Sequence, residues 1–287
     1  MPLDLDLATV SDLATVSLEV NSGPDAPMLV RRVLSSVGER FSLDQNTLDD
    51  IKLGVSAACN NVVVHAYGGD SGPLAVNVRV RAESTEVTVR DHGLGIRHVA
   101  PAIDRTRFGL AVIGAVSQQA EFLSPRDGGT QVRMQFSAGP GRSPPLPALM
   151  SADESDRGAP SPFALSGDAV VTLAPVALLG SLLGRLSTTL ASLRQFSLDR
   201  AGEIEQVMGA LAHHALRAAS EGRISFALLA DDSRFEVKLA PLRTGSSGAL
   251  RTSSRRRPSA LRTFSEEIAV DASKDHESIH VVMLPRG

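Results

Sequence analysis

A period of two is the strongest constraint this chain places on its fold. In "LAVNVRVR" (74–81) Val76, Val78 and Val80 recur at every second position, and "EVTVR" (86–90) and "VSLEV" (16–20) alternate in the same way. Successive side chains of a strand point to opposite faces, so each run reads as a strand with one apolar face. A sheet built from such strands must cover that face with a second layer. The cover is also legible. Pro24 and Asp25 open a helical stretch that runs to about Glu39. Residues 47–67 form a second helix, with Val55, Ala58, Val62 and Ala66 at helical spacing, ended by Gly68, Gly69 and Gly72. The runs 74–81 and 86–90 predict a hairpin; residues 109–119 predict an apolar helix; "EFLS", a "DGG" turn and "TQVRMQF" (130–136) predict a further hairpin. Helices on one side of a mixed, mostly antiparallel sheet give the expected fold class, α+β, as a two-layer α/β sandwich.

The chain has 287 residues, long for one compact domain and comfortable for two. Residues 1–14 contain "DLATVS" twice in succession; two six-residue copies cannot form a repeat architecture, so they read as a tail. Residues 138–166 are dense in Pro, Gly, Ser and Asp and read as a flexible linker. That leaves one domain at 15–137 and a second at 167–287. A net charge of −3 gives no reason to expect nucleic acid or an anionic membrane as partner. The single Cys59 excludes an internal disulfide and any multi-cysteine metal site. No apolar run reaches the roughly 18–20 residues of a membrane span, and Asp4 and Asp6 stand where a secretory signal is basic. A cytoplasmic location is the expectation.

Function is legible in the order of four weak signals. Asn61 lies beside the core stripe of the second helix, with Ala57 one turn before it and His65 one turn after. "RDHGLGI" follows, in which Asp91 ends a strand and Gly93 and Gly95 let the backbone turn sharply. "RFGLAVIG" then places Gly109 at the expected start of a helix, where free N–H groups can receive phosphate. "GGT" brings Thr130 into the last strand. A lone helical Asn is usually a satisfied polar residue and a lone D-x-G-x-G usually a turn; the sequence of all four carries the signal. Together, over residues 16–136, they resemble the ATPase fold shared by sensor histidine kinases and gyrase-type enzymes. "GVSAACNNVVVHAY" (54–67) is similar in particular to the asparagine-bearing helix of the bacterial anti-sigma factor serine/threonine kinases.

That resemblance implies roles. ATP and Mg²⁺ would be the cofactors. Asn61 would offer a side-chain oxygen to Mg²⁺, a hard cation that prefers oxygen ligands. Asp91 would accept a hydrogen bond from the exocyclic amine of adenine, backed by Thr130, with Gly93 and Gly95 admitting the base and ribose. Gly109, Leu110 and the loop from about His98 to Phe108 would form a lid over the phosphates, and His65 joins the cofactor-binding set. Arg31 or Arg32 would lie where the first helix meets a protein partner, a sigma factor or an anti-sigma-factor antagonist; a solvated helix face is the bland alternative. Two departures matter. The family's general-base Glu is replaced by Ala57, and its lid glycine by Arg107. A positioned general base contributes about 10²–10⁴-fold to rate, so phosphotransfer should be severely slowed while ATP binding survives. Ser56, a poor base, and His65, two turns away, are the nearest substitutes.

The second half looks like an eroded copy of the first. "FSLD" recurs at 41–44 and 196–199. With a loop two residues shorter, Asp50–Ile51 aligns with Glu203–Ile204, and Asn61 with His214. "ADDSRFEVKLAP" (230–241) sets Leu239 where Asp91 stands, and "SIHVVMLP" (278–285) parallels "TQVRMQFS". "HHALR" (213–217) is similar to a histidine kinase phosphoacceptor box but falls after the ATPase-like segment and without a following "TP". The basic run 251–257 reads as a solvated loop. The resulting expectation is an ATP-binding regulator of the anti-sigma kinase type, its kinase activity weakened by Ala57. The alternatives are an active serine kinase with a relocated base, a non-catalytic tandem scaffold, and a detached histidine kinase catalytic domain. Family members often dimerise, and the second copy could stand in for a partner subunit.

Overall fold

A computed structural model describes residues 12–95, 104–137, 165–220, 222–248 and 260–285, with side chains of the helical stretch 104–108 not described. The expected linker, the lid segment 98–103, the basic run 251–257 and most of the expected tail fall outside the described residues.

The first half runs β1 (Ala14–Asn21), α1 (Ala26–Arg40), α2 (Gln45–Asn61), β2 (Pro73–Val80), β3 (Ser84–Asp91), α3 (Asp104–Val116), β4 (Gln119–Leu123) and β5 (Gln131–Ser137). The second runs β6 (Ala169–Ala174), α4 (Leu179–Leu193), α5 (Leu198–Ala218), β7 (Ile224–Asp231), β8 (Arg234–Leu242), α6 (Ala260–Phe264), β9 (Glu267–Ala272) and β10 (Glu277–Met283). The two orders are the same. All ten strands join one sheet, in the order β4-β5-β3-β2-β1-β6-β7-β8-β10-β9, whose halves mirror each other about the β1–β6 seam. Every pairing is antiparallel, so the mixed sheet expected from sequence is not observed.

The alternation that predicts the strands also keeps the seam closed. Directly paired residues share a face of the sheet. Val16↔Leu173, Leu18↔Val171 and Val20↔Ala169 are all buried, so one apolar face continues from β1 into β6. The helices cover that face as one core: α1 packs on α2 and α4, α2 on α3, and α5 on α4 and α6. Across the seam Arg185 holds Glu39 with both guanidinium nitrogens, Nη1 to Oε1 at 2.8 Å, and Arg194 Nη1 lies 3.5 Å from Asp25 Oδ2. The segment Val176–Leu193 has the length and composition of a membrane span, contrary to the sequence reading. It comprises a short 3₁₀ turn and α4, with Leu182, Leu183, Leu186 and Leu190 buried in this core.

The correspondence between halves holds residue for residue over their helices. Both α1 and α4 have 15 residues; each ends at a positive-φ residue, Ser42 at 53° and Gln195 at 57°. Asp44 then caps α2 by accepting from the Thr47 N–H, and Ser197 caps α5 by accepting from the Arg200 N–H. In this register Asn61 does correspond to His214. The "FSLD" match does not belong to it, because Asp44 corresponds to Ser197 and not to Asp199; no shortened loop is needed. The strand alignment also moves. Val87↔Met134 and Val89↔Val132 in β3–β5 match Val237↔Val281 and Leu239↔Ile279 in β8–β10. Pro241, not Leu239, thus follows Leu239 as Asp91 follows Val89; at this point the β8–β10 register shifts, and Glu277, two residues before Ile279 as Thr130 is before Val132, pairs with Leu242.

Candidate nucleotide site

Three segments of the first half converge at the end of α2. The helix does not run regularly to Tyr67: after Asn61 it widens into a π turn, Val62–Ala66, which contains His65. Such turns insert a residue into the helical ladder and are frequent at functional sites. The periodicity of valines and alanines carries no trace of it. The turn leaves the Ala66 carbonyl to accept the N–H of Leu94 at 2.8 Å. A Cβ on Gly93 would fall inside that same carbonyl, so Gly93 is required for close packing as much as for turning.

Asp91 ends β3 with only 2% of its surface exposed. Its Oδ1 accepts the N–H of Gly93 at 2.8 Å and that of Thr130 at 3.2 Å, while its own N–H donates to the Thr130 carbonyl at 2.9 Å. Gly129, at φ 79°, admits this approach, since a Cβ there would overlap the Asp91 carbonyl; Gly95, at φ 77°, sits against Gly129. Burial pushes the Asp91 carboxyl above the ordinary aspartate range, and the Gly93 and Thr130 donors pull it back down. The Thr130 side chain adds a further donor, and a carboxylate with about four lone-pair sites can accept one more.

The phosphate side needs a correction. Helix α3 begins at Asp104, so Gly109 lies in its second turn and not at its N-terminus, and it has no free N–H to give a phosphate on that account. Its role is close contact: a Cβ on Gly109 would stand 2.8 Å from Asn61 Oδ1 and 3.0 Å from Nδ2. Glycine there lets α3 close on the Asn61 side chain. Asn60 is exposed and Asn61 half-buried. Leu110 follows Gly109 on α3, half-buried; the side chain of Arg107 lies outside the described residues. Among the described residues no group of three or more His, Cys, Asp or Glu could hold a metal. An ion here would rest on Asn61, phosphate oxygens and water, the usual habit of Mg²⁺.

Ala57 is half-buried beside Ser56, whose Oγ accepts from Arg31 Nε at 2.7 Å. Arg31 is therefore tied to α2, while Arg32 points into a groove between α1 and α4, lined with it by Met28, Arg185, Thr189 and Leu193. Nearby Cys59 is buried, its thiol pushed up to about 12, and is inert. The corresponding places in the second half are filled. His214 Nε2 lies 3.2 Å from Ser247 Oγ, and burial, reinforced by Arg217, holds its pKa low. Glu277 accepts the N–H groups of Gly245 and Ser247 at 2.8 and 2.9 Å.

The family model for the histidine kinase-like ATPase domain matches residues 21–136. The serine-protein kinase RsbW of Bacillus pumilus is 32% identical over 81 residues, covering 27% of this chain and 50% of that protein. The RsbW of Bacillus subtilis strain 168 is 33% identical over 79 residues, covering 27% and 49%. The chain thus spans about half the length of these relatives. A structure of the RsbU and RsbW domains of a Mycobacterium tuberculosis protein superposes at TM-score 0.34 with 20% identity, over 43% of this chain and 32% of that one. Residues 21–136 thus match the histidine kinase-like ATPase domain family, and part of the chain is similar to the RsbW serine-protein kinases.

Proposed function

We propose that this protein is an ATP-binding regulator that acts on a protein partner, a sigma factor or an anti-sigma-factor antagonist, from the cytoplasm. The observation that carries the reading is the Asp91 cradle: a buried acceptor held by Gly93 and Thr130 at the end of a strand, with glycines wherever a side chain would block it. Asp91 would read the adenine amine; Asn61, closed on by Gly109, would steady Mg²⁺ and the phosphates. When bound, Mg·ATP supplies a transferable phosphoryl group. The position of the family's general base is the point of departure: it must take the proton from an attacking serine hydroxyl. Ala57 cannot, and the Ser56 hydroxyl already accepts from Arg31. The protein therefore holds ATP better than it uses it. Arg32, in the α1–α4 groove, is the better candidate for partner contact than Arg31, whose Nε is already bound to Ser56.

The second half supports the scaffold reading for itself alone. With His214, Pro241 and Glu277 in place of Asn61, Asp91 and Thr130, it offers no adenine acceptor of the same kind. We read it as a degenerate copy of the first half that takes the place of a second subunit. Calorimetric titration of Mg·ATP into the full chain tests the proposal. Binding by the wild type and at least tenfold weaker binding by Asp91→Asn is the expected result, on the order of one lost charged hydrogen bond. Equal binding by both proteins would refute it.

A further inference from the structure

Tyr67 is the single tyrosine of the chain. It follows the π turn directly, and its hydroxyl joins two segments that are distant in sequence. It donates to the Pro73 carbonyl at 2.6 Å, at the start of β2, and accepts from the His92 N–H at 3.0 Å. His92 follows Asp91, so this bond fixes the backbone directly after the carboxylate, and the bond from the Leu94 N–H to the Ala66 carbonyl fixes it again two residues further on. A Cβ on Gly72 would overlap the ring edge, so glycine at 72 leaves room for the ring in this position. A phenol that both donates and accepts between β2 and the loop after β3 restrains where the end of β3 sits, and a hydrogen-bonding site discriminates only as well as its acceptor is placed.

We propose that Tyr67 is a positioning residue for base selection: through the His92 backbone its hydroxyl holds Asp91 where it can tell a 6-aminopurine from a 6-oxopurine. The inference rests on the reading of Asp91 as the adenine acceptor. It concerns discrimination and not overall affinity, because the phosphate side of the site, at Asn61 and Gly109, makes no contact with Tyr67 among those described.

The test compares Mg·ATP with Mg·ITP, which lacks the 6-amine, by calorimetry on the full chain. The wild type should prefer ATP by about 10–100-fold, the range of one hydrogen bond to a charged group. Tyr67→Phe keeps the ring and removes the hydroxyl; it should cut that preference by about 3–10-fold, the worth of a neutral hydrogen bond, through weaker ATP binding at nearly unchanged ITP binding. Gly72→Ala, which displaces the ring but retains the hydroxyl, should do the same. A full wild-type preference retained in Tyr67→Phe, or equal weakening toward ATP and ITP as a merely structural role would give, overturns the proposal. Absence of any preference in the wild type would instead overturn the reading of Asp91, and this proposal with it.

Discussion

At the scale of single residues, the proposed site would separate holding a nucleotide from using it. Ala57 is the clearest case, because a methyl group stands where the resemblance calls for a carboxylate. Ala57→Glu should raise γ-phosphate transfer to a partner protein by about 10²–10⁴-fold, the usual contribution of a general base, with ATP affinity little changed; radiolabel transfer measures it. Asp91 carries an opposite tension. Burial raises its carboxyl above the unfolded value of about 3.9, so ionising it costs the folded state stability once pH exceeds that value. Asp91→Asn should therefore melt at a higher temperature than the nucleotide-free wild type at neutral pH. The gain should shrink as pH falls through the raised pKa and vanish below the unfolded one; melting curves from pH 3 to 7 check this. A residue kept at a cost to stability is what a functional site predicts. Asn61, Asp91, Gly93 and Thr130 were legible in the sequence because each is a residue type with a local rule. Tyr67 was not, since its significance lies in bonds to Pro73 and His92, which no spacing reveals.

At the scale of elements, period and punctuation located the strands and helices of the first half, while β6, α4, α6 and β9 of the second were not placed. The π turn at Val62–Ala66 meets Leu94 through the Ala66 carbonyl, and α3, which starts at Asp104, approaches Asn61 at Gly109; both are tertiary features. Hydrophobic spacing cannot distinguish a regular helix from one that widens for a single turn. The "FSLD" string misled for the opposite reason: it is a local identity, whereas the capping residues Asp44 and Ser197 are set by where each helix begins. The β1–β6 seam is the element on which both halves depend. Leu18, fully buried opposite Val171, stands at its centre. Leu18→Ala should cost about 2–5 kcal/mol, as for other buried leucines, and chemical denaturation should show both halves losing stability together. The Arg185–Glu39 pair, with side chains 38% and 58% exposed, should contribute little to stability and less at high salt.

At the scale of the whole molecule, alternation predicted strands with one buried face but could not show that ten of them share a sheet. In-register pairing of β1 with β6 occupies the strand edge that an isolated first half would expose, and such edges invite pairing with another chain. The sheet ends instead at β4 and β9, short strands of five and six residues. The central claim is that one chain supplies both halves of a two-fold arrangement yet only one nucleotide site. Native mass spectrometry of the full chain with Mg·ATP tests both parts at once. The expected species is a single chain carrying a single nucleotide. A homodimer, two nucleotides per chain, or no nucleotide at all would contradict the account.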